Sequence, residues 1–107
     1  MKKQGFIYMY SFFAGIIEQN DEGFIFEYDK EYLKLENAKV ISLTLPLQHE
    51  PFFSKTMIPF FDGLIPEGWL LLIANQVLKV DTFDRMDLLL ACCEDTIGAV
   101  SVRRQKI

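Results

Sequence analysis

The side chains best suited to covalent chemistry in this sequence are two adjacent cysteines and one histidine. Cys92 and Cys93 are too close along the chain for an ordinary structural disulfide, and neither has a second Cys or His at the spacing of a zinc site. This use of cysteine favours a reducing compartment. A thiol nucleophile would need a base, and His49 is the only histidine. The alternative is that the cysteines are small buried residues and that His49 is a solvated loop residue.

The densest group of carboxylates lies around the second of two predicted helices. Carboxylates so placed could bind a metal ion or act as general acids, or they could complement a helix dipole and face solvent. The second interpretation is favoured, since the chain has no calcium-loop spacing, glycine-rich phosphate loop, G-x-S-x-G or H-E-x-x-H motif. The carboxylates are Asp81, Asp84, Asp87, Glu94 and Asp95. The sequence therefore predicts no catalytic residue, no metal and no cofactor.

Composition narrows the class of protein further. The chain has 107 residues, of which 50% are hydrophobic, and its formal net charge is −4. We expect residues 1–107 to form a single domain, since chains divide only well beyond ~150 residues. An acidic chain lacks the basic surface that binds a phosphate backbone, so no direct nucleic-acid contact is predicted. The longest apolar run, residues 69–74, is far shorter than the ~18 residues of a membrane helix. Because no run is long enough to span a membrane and the cysteine usage fits a reducing compartment, a soluble, cytoplasmic protein is expected.

The first half of the chain predicts an antiparallel meander. Residues 5–10, 13–19 and 24–28 are apolar, aromatic and β-branched runs, and Asn20-Asp21-Glu22-Gly23 between the last two has turn chemistry. Asp29 is a suitable N-cap for one or two helical turns over residues 29–35.

A fourth strand is predicted over residues 40–45. Ile41, Leu43 and Leu45 alternate with Ser42 and Thr44, which would place the three aliphatic side chains on one face of a sheet. Pro46 would end the run because it cannot donate to a strand ladder.

The second half predicts a long ordered loop followed by helices. Residues 51–68 contain three prolines and two glycines around aromatic pairs, residues 67–79 and 84–93 favour helices, and residues 98–103 favour a last strand. The order of elements predicts an α+β fold, a mainly antiparallel sheet with two helices packed on one face.

The most specific pattern in the chain is Phe60-Phe61-Asp62-Gly63-Leu64-Ile65-Pro66-Glu67-Gly68. It resembles the F-F-x-x-L-L-P-E-G motif of the N-terminal domain of HipA-type Ser/Thr kinase toxins, with Ile65 in place of the second Leu. Other landmarks of that family occur in order: Ala14-Gly15, Phe26-x-Tyr28-Asp29 with Tyr32-Leu33, Ser42-Leu43-x-Leu45-Pro46-Leu47 and Asp95-x-x-Gly98-Ala99-Val100. The sequence departs from the family at Cys93, where Gly is usual, so the local turn geometry there is expected to differ from that of the family.

The resemblance implies structural roles for the motif and a function without catalysis. The family-motif residues with expected structural roles are Phe60, Phe61, Gly63, Leu64, Pro66, Glu67, Asp95 and Gly98. Of these, Phe60, Phe61, Leu64 and Pro66 would fix the loop against the sheet and set the start of the helix over residues 67–79. In full-length relatives a larger body with the ATP-binding and catalytic motifs follows this domain, and this sequence has none of those motifs. It is similar to stand-alone, HipS-type proteins of bacterial tripartite toxin–antitoxin loci, encoded beside a shortened kinase toxin and a helix-turn-helix DNA-binding protein.

What the resemblance implies is an antitoxin that binds and restrains a HipA-like kinase, with the helix-turn-helix protein as a further partner in the complex. One alternative is a split structural subdomain that completes the kinase fold without inhibiting it. Another is an unrelated small enzyme, which depends on the cysteine and histidine pair alone.

The helix predicted after the motif offers a candidate patch for that partner. Its predicted buried stripe is Leu70, Ile73, Ala74, Val77 and Leu78. Leu72 then projects to the opposite side beside Gln76, Trp69 lies on the flank, and Gly68 leaves room for a partner's backbone. The partner-binding hypothesis assigns these four residues to the interface. The alternative is that Trp69 packs on residues 60–61 and that Leu72 is an isolated surface residue.

Cations concentrate at the two ends of the chain. Lys2 and Lys3 would form one basic edge with Arg103, Arg104 and Lys106 if the first and last strands are neighbours. The favoured interpretation is a solvated edge that discourages strand pairing, in preference to a DNA contact.

Overall fold

A computed structural model describes residues 3–66, 85–94 and 99–106. One antiparallel sheet has the strand order β4-β3-β2-β1-β5. Its strands are β1 (Lys3–Met9), β2 (Phe12–Asn20), β3 (Gly23–Tyr28), β4 (Phe52–Ser54) and β5 (Val100–Arg103). The helices in the described ranges are α1 (Lys30–Leu33), α2 (Pro59–Asp62) and α3 (Arg85–Cys92), none of them long and apolar enough to cross a membrane. The protein is α+β with a mainly antiparallel sheet, which confirms the predicted fold class.

The core lies on one face of the sheet and follows the period of two expected for half-buried strands. Ile7, Ile17, Phe26 and Val102 come from four different strands and are all fully buried. From the other side, α3 contributes buried Met86, Leu88 and Leu89 to the same cluster. The helix predicted over residues 84–93 is therefore confirmed in its described part, whereas the helix predicted over residues 67–79 lies outside the described residues.

Turn chemistry fixes the hairpin between β2 and β3. The Asn20 side-chain oxygen accepts hydrogen bonds from the backbone N–H groups of Glu22 and Gly23. Gly23 has a φ of 150°, and a Cβ there would come within 2.4 Å of the Ser54 carbonyl oxygen. Because this turn sets the register of both strands, the meander appears where the sequence predicts it.

The short helix α1 begins at the predicted cap. The Asp29 carboxylate accepts a hydrogen bond from the Tyr32 backbone N–H at 3.1 Å, which satisfies one of the free donors of the first turn. The cap and the buried Tyr32 ring thereby fix the chain as it leaves β3.

The strand predicted over residues 40–45 is wrong. A turn closes between Ser42 and Leu45, whose backbones form only an isolated bridge, and Leu43 at its tip is 94% exposed. One tyrosine hydroxyl takes the place of a strand partner: Tyr28 donates to the Leu45 carbonyl and accepts from the Ile41 N–H. Ile41 and Leu45 are buried, as predicted, but they point inward from the two sides of a turn.

A strand that was not predicted, β4, lies inside the loop expected over residues 51–68. It pairs with β3 from Phe24↔Ser54 to Phe26↔Phe52, so Phe52 packs against the core while Phe53 on the opposite face is 54% exposed. Three residues are too few for alternation to stand out beside the prolines.

Candidate partner-binding surface

The first half of the motif is built into the core by α2. Pro59 occupies the first helical turn, where its missing N–H costs no hydrogen bond. This turn directs Phe61 inward, where the ring is fully buried and its centroid lies 5.4 Å from that of Phe26. The half-buried Phe60 ring packs edge-on against Phe61 at 5.3 Å. The two motif phenylalanines thus join the helical turn to the sheet.

The next motif residues end α2 and continue along the core. Ile65 is buried, Leu64 packs on the core cluster and Pro66 is half-buried. Gly63 is exposed with an ordinary helical φ of −69°, and an added Cβ would meet nothing closer than 3.5 Å. Local sterics therefore do not explain the glycine at position 63.

The remaining predicted motif and partner-binding residues lie outside the described residues. They are Glu67, Gly68, Trp69, Leu72, Gln76, Asp95 and Gly98. Their assignment to structural roles or to a partner interface stays a prediction.

Two contacts tie together the described residues on either side of segment 67–84. The Arg85 Nε atom donates to Asp62 Oδ1 at 2.6 Å, an ion pair between α3 and α2. The Cys93 thiol donates to the Leu64 carbonyl oxygen at 3.4 Å. The ion pair is nearly half exposed, so its contribution to stability is below about 1 kcal/mol, but it joins the two helices directly.

Cys93, the departure from the family pattern, fits its position without strain. It is fully buried, and its carbonyl oxygen accepts from the Val102 N–H at 2.8 Å. Among the described residues other than glycine, a positive φ occurs at Tyr10 alone, so Cys93 does not need the backbone freedom of glycine. Its side chain fills the space between α3, β5 and the motif loop.

The same burial argues against a thiol nucleophile. Desolvation, helped by the neighbouring Cys92, raises the pKa of Cys93 to about 12, and burial also raises the pKa of Cys92. Both thiols therefore stay protonated near neutral pH, and the thiolate is the reactive form. His49 is exposed. The geometry favours the interpretation of the cysteines as packing residues.

The described carboxylates of the acidic group pair with cations from the sheet. Asp87 forms a salt bridge with Lys3 at 2.9 Å, and Glu94 lies 3.4 Å from Arg103. No group of three potential metal ligands occurs within the described ranges. The other members of the group, Asp81, Asp84 and Asp95, lie outside those ranges.

The predicted basic edge is only partly assembled. β1 and β5 are neighbours, as the hypothesis requires, and their antiparallel pairing, with Phe6 opposite Arg103, directs the C-terminal residues toward the start of β1. Lys3 is bound to Asp87 on α3, whereas Arg103 lies over the Tyr8 ring at 5.7 Å and Lys106 over the Phe13 ring at 4.4 Å. Arg103 and Lys106 therefore lie on aromatic rings, whereas Lys3 pairs with a carboxylate on α3. Lys2 lies outside the described residues.

The tip of the β1–β2 hairpin is an exposed apolar surface that the sequence analysis missed. Tyr10 is 71% exposed and Phe12 57%, and with the exposed Leu35 they line a cavity of about 310 Å³ that reaches Met9 and Tyr32. Tyr10 has a φ of 55°, a left-handed conformation that costs a side chain of this size about 1 kcal/mol or more. The sequence did contain one signal for this surface: Tyr10 stands at the turn of a two-residue hairpin, where Asn or Gly is usual.

Comparison with known proteins identifies relatives over nearly the whole chain. The sequence family described as HipA N-terminal domain matches residues 6–103. A solved structure, the N-terminal domain of HipA toxin, superposes with a TM-score of 0.72 at 27% identity, covering 97% of this chain and 93% of that one.

Two further relatives differ in how much of their length corresponds to this chain. An uncharacterized protein of Haemophilus influenzae is 32% identical over 104 residues, 97% of this chain and 94% of that protein. A protein of Sinorhizobium fredii named "Putative kinase Y4mE" is 35% identical over 90 residues, which are 83% of this chain but 21% of the longer protein. The same domain therefore occurs as nearly all of one relative and as about a fifth of another.

Proposed function

Because this chain belongs to the HipA N-terminal domain family, we propose that it is a non-catalytic antitoxin that binds a HipA-like Ser/Thr kinase and restrains it. One observation supports the proposal above all others. The domain makes up 94% of the relative from Haemophilus influenzae but 21% of the kinase-named protein from Sinorhizobium fredii. A domain that is part of a kinase-named chain in one protein and nearly the whole of another is suited to act on a separate kinase body.

The chemistry of the described residues is compatible with a binding role. The two thiols, those of Cys92 and Cys93, have raised pKa values and stay protonated at neutral pH. The motif residues Phe61 and Ile65 are buried in the core, where they stabilise the domain and are not available to a substrate. In this proposal the domain contributes a surface and the kinase contributes the catalysis.

We assign the contact with the kinase to Gly68, Trp69, Leu72 and Gln76. Support comes from the described residues that border segment 67–84, because the Arg85–Asp62 ion pair and the Cys93–Leu64 hydrogen bond hold its two flanks together.

The second candidate function is that of a structural subdomain that completes a kinase fold without inhibiting it. The exposed apolar residues favour this alternative, since Tyr10, Phe12 and Phe53 are each more than half exposed. Tyr10 and Phe12 share the tip of one hairpin, and a kinase body could cover such an exposed apolar surface permanently.

Co-expression with a HipA-like kinase, followed by a phosphorylation assay, distinguishes the two functions. An antitoxin forms a complex with the kinase and lowers its activity, in a dose-dependent way, when added to the purified enzyme. A completing subdomain binds but raises the soluble yield or the activity of the kinase. If the chain does not co-purify with any HipA-like kinase, both functions are wrong. A helix-turn-helix protein expressed alongside shows by co-purification whether it joins the complex.

A further inference from the structure

The sheet face that points away from the core carries a cluster of three aromatic side chains. Phe6, Tyr8 and Phe13 lie outside the core cluster, and the Phe13 ring centroid is 6.1 Å from that of Phe6 and 5.6 Å from that of Tyr8. A β-bulge creates this arrangement, since Ile7 pairs with Gly15 but Tyr8 pairs with Phe13, which leaves Ala14 as the extra residue. Bulges of this kind redirect side chains and occur often beside functional sites.

Two cations near the C-terminus pack on this aromatic cluster and form few ion pairs. Arg103 lies over Tyr8 and Lys106 over Phe13, at distances typical of cation–π contacts. The Arg103 Nε atom is buried without a hydrogen-bond partner. Its Nη1 atom lies 3.4 Å from the Glu94 carboxylate oxygen, which is long for a charge-assisted hydrogen bond. Arg104 and Lys106 form no ion pair with any described residue. A buried donor without a partner costs free energy that a suitable acceptor would recover.

Two adjoining cavities share the Arg103 side chain. One, of about 420 Å³, is lined by Tyr8, Tyr10, Ser11, Phe13 and Arg103. The other, of about 400 Å³, is lined by Glu94 and residues 103–106. An aromatic cavity therefore lies directly beside a cationic one, at the edge of a protein whose formal net charge is −4.

We propose that these paired cavities, the aromatic–cationic site, bind an acidic segment of a partner protein. Carboxylates of the segment pair with Arg103, Arg104 and Lys106, and an aromatic or aliphatic side chain between them enters the cavity formed by Tyr8 and Phe13. Arg103 is about one-third exposed, so its guanidinium can turn toward a carboxylate and form the two parallel hydrogen bonds for which its shape is suited. This site lies on the opposite face of the sheet from Phe61 and Ile65 of the motif, and the proposal does not rest on the proposed kinase contact.

Charge complementarity favours an acidic protein segment over the other ligands such a surface could bind. Three cations in an acidic protein are few for a nucleic-acid backbone, whose binding depends on many phosphate contacts. Addition of a strand to the edge of β5 is disfavoured because the outward N–H of Val102 already donates to the Cys93 carbonyl. Recognition therefore depends on side chains, and opposite charge is the main source of selectivity.

Titration of the nitrogen-15-labelled full chain with a capped Glu-Glu-Phe-Glu-Glu peptide, followed by NMR, tests the proposal. We expect saturable shifts confined to Tyr8, Tyr10, Phe13 and residues 103–106, which weaken as salt is added. The matched peptide with Gln in place of each Glu should bind at least about tenfold more weakly, as should the Arg103→Gln variant with the acidic peptide.

The double variant Arg104→Gln/Lys106→Gln has a control of equal charge change, Lys34→Gln/Lys55→Gln, both of whose lysines are exposed on other parts of the surface. The first should weaken binding about tenfold and the second should leave it unchanged. If Arg103→Gln disturbs the spectrum of the free protein, the double variant decides alone. Equal effects of the two double variants, or equal binding of the acidic and neutral peptides, would overturn the proposal. Tighter binding of a single-stranded oligonucleotide than of the acidic peptide would assign the site to nucleic acid instead.

Discussion

The aromatic residues around α2 and those at the β1–β2 hairpin are the two regions of this molecule that differ most. Phe26 and Phe61 are fully buried, with their ring centroids 5.4 Å apart, whereas Tyr10 and Phe12 are 71% and 57% exposed. Burial of a large ring contributes several kcal/mol to stability, but an exposed ring contributes little and, at Tyr10, sits on a strained backbone. The comparison suggests that the first region maintains the fold and that the second is available for recognition.

The largest effect is expected from Phe61→Ala. Removal of a fully buried ring leaves a cavity among Phe26 and Phe60 and should lower the free energy of unfolding by about 3–5 kcal/mol. Urea denaturation measures this change. Phe53→Ala is the matched control, because its ring is 54% exposed and its loss should cost less than about 1 kcal/mol. Equal losses in the two variants would break the distinction between the two regions.

The next largest effect is expected at Trp69, whose assignment to the partner-binding surface is a prediction. If it anchors the kinase partner, Trp69→Ala should weaken the complex by about 2–4 kcal/mol and leave the free energy of unfolding nearly unchanged. Calorimetric titration with the kinase and urea denaturation of the same variant give the two quantities. A large loss of stability would place Trp69 with Phe61 among the core residues. Unchanged affinity in a folded variant would remove the anchor but not the proposed antitoxin function.

The fold could be predicted where the signals are local. Alternation in β1 to β3, the turn at Asn20 and the cap at Asp29 all depend on residues within a few positions of one another. Residues 40–45 were misassigned because the backbone groups of Ile41 and Leu45 bond the hydroxyl of Tyr28 on β3, which no local pattern reveals. β4 escaped notice because three residues carry too little periodicity.

The surface could be predicted only in part, for a similar reason. The motif residues were found because their types and order are specific, but the aromatic–cationic site depends on the pairing of β1 with β5, which places Arg103 over Tyr8. The sequence analysis could only assume that the first and last strands are neighbours. It gave no indication of the bulge at Ala14 that turns Phe13 toward Tyr8.

A moderate effect is expected from Tyr28→Phe, which tests how residues 40–45 are held. The variant keeps the buried ring but removes the hydroxyl that bonds the Ile41 N–H and the Leu45 carbonyl. Leaving these backbone groups without partners should cost about 1–3 kcal/mol, measured by urea denaturation. Tyr10→Phe removes an exposed hydroxyl and should change the stability by less than about 0.5 kcal/mol. A neutral Tyr28→Phe would mean that water replaces the hydroxyl and that packing alone holds the turn.

The smallest effect, and the one of opposite sign, is expected from Tyr10→Asn. Asn adopts the left-handed conformation more readily than Tyr, and the exposed Tyr10 ring loses little buried surface when it is removed. The Tyr10 N–H, which donates to the Ala99 carbonyl at 2.7 Å, is retained in the variant. The free energy of unfolding should therefore rise by about 0.5–1 kcal/mol, while the affinity for the acidic peptide falls because one wall of the aromatic cavity is lost. A stabilised variant that still binds would show that the strain at Tyr10 has no part in recognition. A destabilised one would show that this ring, despite its exposure, belongs with Phe61 among the residues that maintain the fold.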